Sequence, residues 1–226
     1  MATILVLDTS TEACSCALSL NGEVYEAYDV IPRQHAQKIL PMIHGLMAEY
    51  SLEFSQLDAI AFGRGPGSFT GLRIAAGVTQ GIAFAADLPV IPVSTLASLA
   101  LDVHETTQAE YVLSCLDARI DEVYWGLYRF KLGVPTLVGV ENLCKPEQMH
   151  CDTVPTIKGL CAGGNGLSYS PRFPKLILNN LHICLPELLP RAGHMAKIAA
   201  ALWLQQEYIS AEAITPVYLR DNVTHQ

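Results

Sequence analysis

An α/β chain of two lobes, the first a mixed sheet with helices outside it and the second opening on antiparallel strands, is predicted by three observations. The chain of 226 residues opens with strand-like runs at 3–7, 14–20 and 23–30, the last two joined by Asn21-Gly22, a strong short-range hairpin signal. Strand and helix patterns then alternate through residue 103, which adds parallel strands to that hairpin. A second set of strands begins at Glu110 and is again followed by helical sequence. The echo points to a pseudo-repeat, with lobes at 1–106 and 107–226 and the helix at 193–206 a candidate to complete the first. Apolar residues make up 50% and charged residues 16%, the balance of a chain that packs a core. At this length, folding buries about 70% of the unfolded surface.

The first strand, Ile4-Leu5-Val6-Leu7, ends at Asp8-Thr9-Ser10-Thr11, a cluster of turn formers. Because it follows the N-terminus without a basic leader, it reads as a core strand and not as a signal peptide. Ala36, Ile39, Leu40, Ile43, Leu46 and Met47 recur at helical steps, with Pro41 inside the pattern as a kink or the first turn of a second half. Residues 57–62 form a strand and 72–86 a helix of unusually small residues, able to approach a neighbour closely. Between them lies Gly63-Arg64-Gly65-Pro66-Gly67-Ser68-Phe69-Thr70-Gly71. A strand at 89–93 leads to Ser94, an N-cap for a helix over 95–103. Strands follow at 110–117, 122–130 and 136–140, then a weak helix at 145–151 and a strand at 156–162 stopped by Gly163-Gly164-Asn165-Gly166. The Pro-rich stretch 168–192 carries no clear pattern, and 195–205 is the last helix.

Charge limits the function. Fourteen basic against twenty-two acidic residues give −8, the wrong sign for a chain that holds a polyanion unaided. Residues 1–110 hold 12 acidic and 4 basic side chains (−8), and 111–226 hold 10 of each. The first half repels nucleic acid, and the second attracts it little. Seven cysteines without compact spacing make a poor disulfide framework, and no apolar stretch reaches membrane-spanning length, so a cytoplasmic protein is expected.

The glycine-rich segment between a strand and a helix has two readings. Backbone amides converging on a helix N-terminus can hold an anion, which makes Asp8, Gly65 and Gly67 candidates for phosphate or nucleotide contact. The better-supported reading is a tight crossing or a protein-contact loop, since the segment has neither the Gly-Lys-Ser/Thr of a P-loop nor the dinucleotide fingerprint. None of the seven histidines forms an i,i+4 pair, no Gly-x-Ser-x-Gly elbow occurs, and no metal ligand set is expected. Asp117-Ala118-Arg119 with Tyr124-Trp125 is either a partner or nucleotide rim, or a turn ion pair beside aromatics divided between core and surface.

The opening Ile4–Cys14, Arg33-Gln34-His35 with Ile39-Leu40-Pro41-Met42, Gly63–Arg73, Pro92–Leu96, Asp117–Arg119 with Glu122–Trp125, and Pro216–Asn222 together resemble the bacterial TsaB (YeaZ) family of tRNA threonylcarbamoyladenosine biosynthesis proteins over nearly the whole chain. The resemblance implies the actin-like, Hsp70-like ATPase fold, built of two ribonuclease-H-like lobes. It implies a noncatalytic partner of the complex that installs threonylcarbamoyl on adenosine 37 of tRNA. The chemistry then belongs to a paralogous catalytic subunit, TsaD, and a small ATPase, TsaE, completes the complex. It also implies a homodimer in isolation, contact with tRNA only through the complex, and no cofactor of the chain's own, with ATP or ADP entering at the complex. The His-x-x-x-His of the catalytic subunit is missing here. On this reading Ile39, Ile43, Met47 and Ala75 lie at the partner interface, and Arg64 and Arg73 make charge contacts with a partner or nucleotide. A weak ATPase dependent on Asp8, or an orphan peptidase, is the competing reading.

Overall fold

The computed structural model describes all residues except 151, 153, 155, 156 and 221–226. The chain divides into one compact unit of Met1–Ser98 with Pro190–Val217 and another of Leu99–Leu189 with residues 218–220. The division therefore falls at 98/99, earlier than the expected 106/107, and the second unit loses most of the C-terminal segment to the first.

The first unit holds a five-stranded sheet in the order β3-β2-β1-β4-β5. Its strands are β1 (Ile4–Asp8), β2 (Ala13–Leu20), β3 (Glu23–Val30), β4 (Ala59–Gly65) and β5 (Val90–Ser94). β1, β2 and β3 form an antiparallel meander, while β4 and β5 add in parallel on the other side of β1. Helices α1 (His35–Glu49) and α2 (Phe69–Ala86) cover one face, over Leu5, Leu7, Cys14, Cys16, Ile60 and Phe62. The other face shows Ile4, Val6, Ala17, Ala61, Ile91 and Val93. Helix α5 (Ala192–Leu204) covers it with Met195, Ala196 and Ala199. β1 is buried on both faces, which is why it reads as an unbroken apolar run instead of an alternation. The same fact explains why a distant C-terminal helix belongs here, since without it a whole sheet face lies bare.

Two side chains from the sheet cap the start of α5. Ser15 Oγ accepts from the Ala192 amide at 2.9 Å, and Glu26 Oε1 accepts from the Gly193 amide at 2.7 Å. The other oxygen of Glu26 pairs with Arg191, whose guanidinium lies 4.5 Å from the Tyr28 ring centre. Glu26→Ala is expected to cost about 1–2 kcal/mol, as loss of a charged helix cap does, read as a lower urea midpoint of the full chain.

The second unit repeats the plan. Its sheet runs β10-β9-β6-β7-β8, from β6 (Tyr111–Arg119), β7 (Glu122–Lys131), β8 (Val134–Cys144), β9 (Leu160–Gly163) and β10 (Leu181–Leu185). A central strand pairs antiparallel with its successor and parallel with the fourth strand, as in the first unit. Both units thus have the strand order of the ribonuclease-H-like lobe. Helix α3 (Thr95–Thr107) runs across the division between the units.

The Pro-rich stretch is ordered into 3₁₀ turns at Asn165–Arg172, the short helix α4 (Lys175–Leu178) and the edge strand β10. Its signal was hidden because neither short turns nor an edge strand with an exposed middle shows a long period. The weak helix expected at 145–151 is a single 3₁₀ turn, Pro146–Gln148, and Cys151 falls outside the described residues. The strand expected from 156 begins at Leu160, with Thr156 likewise outside. Six cysteines, at 14, 16, 115, 144, 161 and 184, are free thiols. No helix among the described residues is long and apolar enough to cross a membrane.

Candidate functional site

Asp8 closes β1 and is fully buried. Ser10 Oγ donates to its Oδ2 at 2.9 Å, while Oδ1 has no hydrogen-bond partner. Burial pushes the carboxyl up to about 7, against the opposite pull of the Ser10 hydroxyl and the Ser10 and Thr9 amides. Next to it, Gly63 on β4 leaves no gap: a Cβ there would sit 2.0 Å from Asp8 Oδ1 and 3.1 Å from Met195 Cε.

The glycine-rich loop closes over the same turn. The Ser68 amide donates to the Ser10 carbonyl at 2.7 Å, and the Val217 amide donates to the Arg64 carbonyl at 2.7 Å. Thr9 Oγ1 donates to the Gly71 carbonyl at 2.7 Å, and Thr95 Oγ1 donates to that of Pro66. Gly65 sits at φ +108°, a backbone that side chains rarely adopt, with the Val217 carbonyl 2.8 Å from where a Cβ would be. At Gly67 that place is 2.5 Å from the Ser10 carbonyl. Ser68 caps α2, accepting from the Gly71 amide at 3.4 Å. The carbonyls of Arg64, Pro66 and Gly71 and the amide of Ser68 are engaged within the protein, and Asp8 is buried beside them. Gly65 and Gly67 are positions of close chain crossing. Among the described residues, no three His, Cys, Asp or Glu side chains are grouped so as to hold a metal.

The expected interface residues divide. Ile39, Ile43 and Ala75 are 0% exposed and Met47 4%, all within the apolar core under α1 and α2. They face their own sheet, and this corrects their placement at a partner surface. A helical apolar stripe reads the same in sequence whether it meets a sheet or a subunit. Arg73 is exposed on α2, with its guanidinium 3.8 Å from the centre of the Phe69 ring, and Arg64 is half-buried.

Ala36 and Leu40, expected on the same apolar stripe as Ile39, instead face outward. The exposed residues of α1 include Ala36, Leu40, Pro41, His44, Gly45 and Ala48 beside Gln37, Lys38 and Glu49, and those of α2 include Phe69, Arg73, Gly77, Gln80, Gly81 and Phe84 beside Thr70 and Ala85. Leu40, Phe69 and Phe84 are 43%, 48% and 74% exposed. Gly45, Gly77 and Gly81 have open space where a Cβ would go, so no contact within the chain requires a glycine there. Each costs its helix up to about 1 kcal/mol relative to alanine. That unexplained cost was the available signal.

In the second unit, Asp117 and Arg119 form the turn ion pair, at 3.1 Å. Trp125 is buried, donating to Cys144 Sγ at 3.2 Å, and Tyr124 is partly exposed. Gly164 and Gly166 abut the backbone of Cys115 and Leu116, as Gly67 and Gly71 abut Ser10 and Thr9. His35 and His104 are satisfied by the carbonyls of Ala13 and Ala109.

Comparison with known proteins places this geometry. A protein of Haemophilus influenzae named tRNA threonylcarbamoyladenosine biosynthesis protein TsaB is 42% identical, over 98% of this chain and 95% of its own. The chain belongs to the TsaB family. The Escherichia coli K12 protein of that name is 39% identical over 97% of the chain and 95% of its own. The crystal structure of YeaZ from Pseudomonas aeruginosa superposes with a TM-score of 0.92 at 44% identity, covering 97% of this chain and 100% of that one. The family model for TsaD, tRNA N6-adenosine threonylcarbamoyltransferase, matches residues 29–225. The chain is thus TsaB-like along its length and shares its lineage with the transferase.

Proposed function

We propose that this TsaB-family chain is a noncatalytic subunit in the formation of threonylcarbamoyladenosine at position 37 of tRNA, docking with a TsaD-type catalytic subunit and holding it in its active arrangement. The observation that carries this reading is the pairing of a sealed Asp8 with an open helical face. Asp8 is fully buried with Gly63 against its Oδ1, while α1 and α2 present to solvent apolar side chains and glycines that no contact within the chain requires. Both helices cover the same face of their sheet, so their outward stripes form one surface. Helices that meet through glycine approach closely, and shape complementarity supplies the affinity. The match to the TsaD family model supports the choice of partner, because a surface that pairs two copies of a fold can also pair the chain with its paralogue.

Binding that favours the active arrangement of the catalytic subunit raises its population. In this reading the chain is cytoplasmic and forms a homodimer when alone. ATP or ADP, the small ATPase TsaE and the tRNA all meet at the complex. Reconstitution tests it. Omitting the chain from a mixture of tRNA, ATP, threonine, bicarbonate and the other proteins is expected to abolish modified adenosine. Gly77→Leu, which adds bulk where nothing in the chain stands, should do the same while leaving the unfolding midpoint near the wild-type value. Full modification without the chain overturns the reading.

A further inference from the structure

We infer that the groove between the end of α2 and the segment Tyr208–Glu212 receives a lysine or arginine side chain of the TsaD-type partner. This inference rests on the docking role proposed above and extends the α1–α2 surface, since Phe84 belongs to both. The groove is a broad, open depression of about 630 Å³. Ala83, Leu88 and Ile209 line its apolar part, with Phe84 and Tyr208 beside them.

Its charge is of one sign. Asp87 and Glu212 both line it, and the lining includes no Lys, Arg or His. Hydrogen bonding from Ser210 holds the Glu212 carboxyl below the usual range, so it is charged at neutral pH. Asp87 caps the C-terminus of α2, where the helix dipole is already negative, and the last turn of α2 has no basic residue of its own. The αL turn does not require that charge: Asp87 has φ 52°, and asparagine adopts this conformation as readily. Two carboxylates, a helix C-terminus and two aromatic side chains form the environment a guanidinium or ammonium seeks.

The test titrates the full-length chain with the catalytic subunit by calorimetry, at low and at high ionic strength. The double variant Asp87→Asn with Glu212→Gln is expected to bind about tenfold more weakly at low salt, with a flattened salt dependence and an unchanged unfolding midpoint. Phe84→Ala should weaken binding in the same direction. Wild-type affinity and salt dependence in the double variant overturn the inference, and so does a loss confined to self-association. Gly77→Leu separates the two readings: if it abolishes binding while the groove variants do not, the docking face stands and the groove falls. If the groove variants weaken binding while Gly77→Leu does not, the reverse holds.

Discussion

Asp8→Asn is expected to remove a pH dependence of stability worth about 4 kcal/mol. In the unfolded chain this carboxyl ionises near 3.8, and in the folded chain burial moves that to about 7. Because the folded-state value is the higher one, the protonated acid favours folding. Its contribution is complete below the unfolded value and is lost as pH rises through the folded one. Between about pH 4 and 7 the wild-type chain should therefore lose stability relative to a variant that cannot ionise. Asparagine keeps the oxygen that accepts from Ser10 but buries an amide where Oδ1 has no hydrogen-bond partner, a cost of about 1–3 kcal/mol at every pH. The variant should start less stable in acid and gain on the wild type as pH rises. Urea midpoints of both proteins across that range decide it, and a constant difference between them would show that Asp8 is charged in the folded chain at low pH. In the reconstituted reaction the same variant should support near-normal modification; a sharp loss with the fold intact would favour the ATPase reading.

Gly71→Ala should destabilise the chain by more than about 3 kcal/mol, although alanine is the better helix former. A Cβ at this first-turn position of α2 would lie 1.9 Å from the Thr9 carbonyl oxygen. The obstacle is backbone and cannot rotate aside. The Thr9 turn is further pinned by its hydroxyl bond to the Gly71 carbonyl and by the Ser68 amide on Ser10. Relief requires α2 to pull away from β1, opening the core over Leu72 and Ala75. Gly77→Ala and Gly81→Ala in the same helix should behave oppositely, each stabilising the isolated chain by up to about 1 kcal/mol, because open space surrounds both. Thermal unfolding of the three variants side by side measures the contrast. Equal effects at all three positions would remove the distinction between glycines that serve the fold and glycines left for a partner.

The one-dimensional pattern went far with local structure. Asn21-Gly22 announced the β2–β3 hairpin, the apolar steps of 36–47 announced α1, and the run 4–7 announced a core strand. What stayed hidden was direction. Ile39, Ile43 and Met47 satisfy a helical stripe, and periodicity says that one side is apolar without saying what lies against it.

Glycine hid its purpose in the same way. Gly71 and Gly77 are the same letter in the same helix, yet one is forced by the Thr9 carbonyl and the other by nothing in the chain. Asp8 and Gly63 stand fifty-five positions apart, yet in the fold the glycine lies against the oxygen of Asp8 that has no hydrogen-bond partner. Composition, the opening hairpin and the family were legible along the chain because each depends on neighbours or on residue identity. Burial, sealing and the outward face arise from contacts between segments far apart in sequence, so they exist only once β1 has β4, α2 and α5 packed around it.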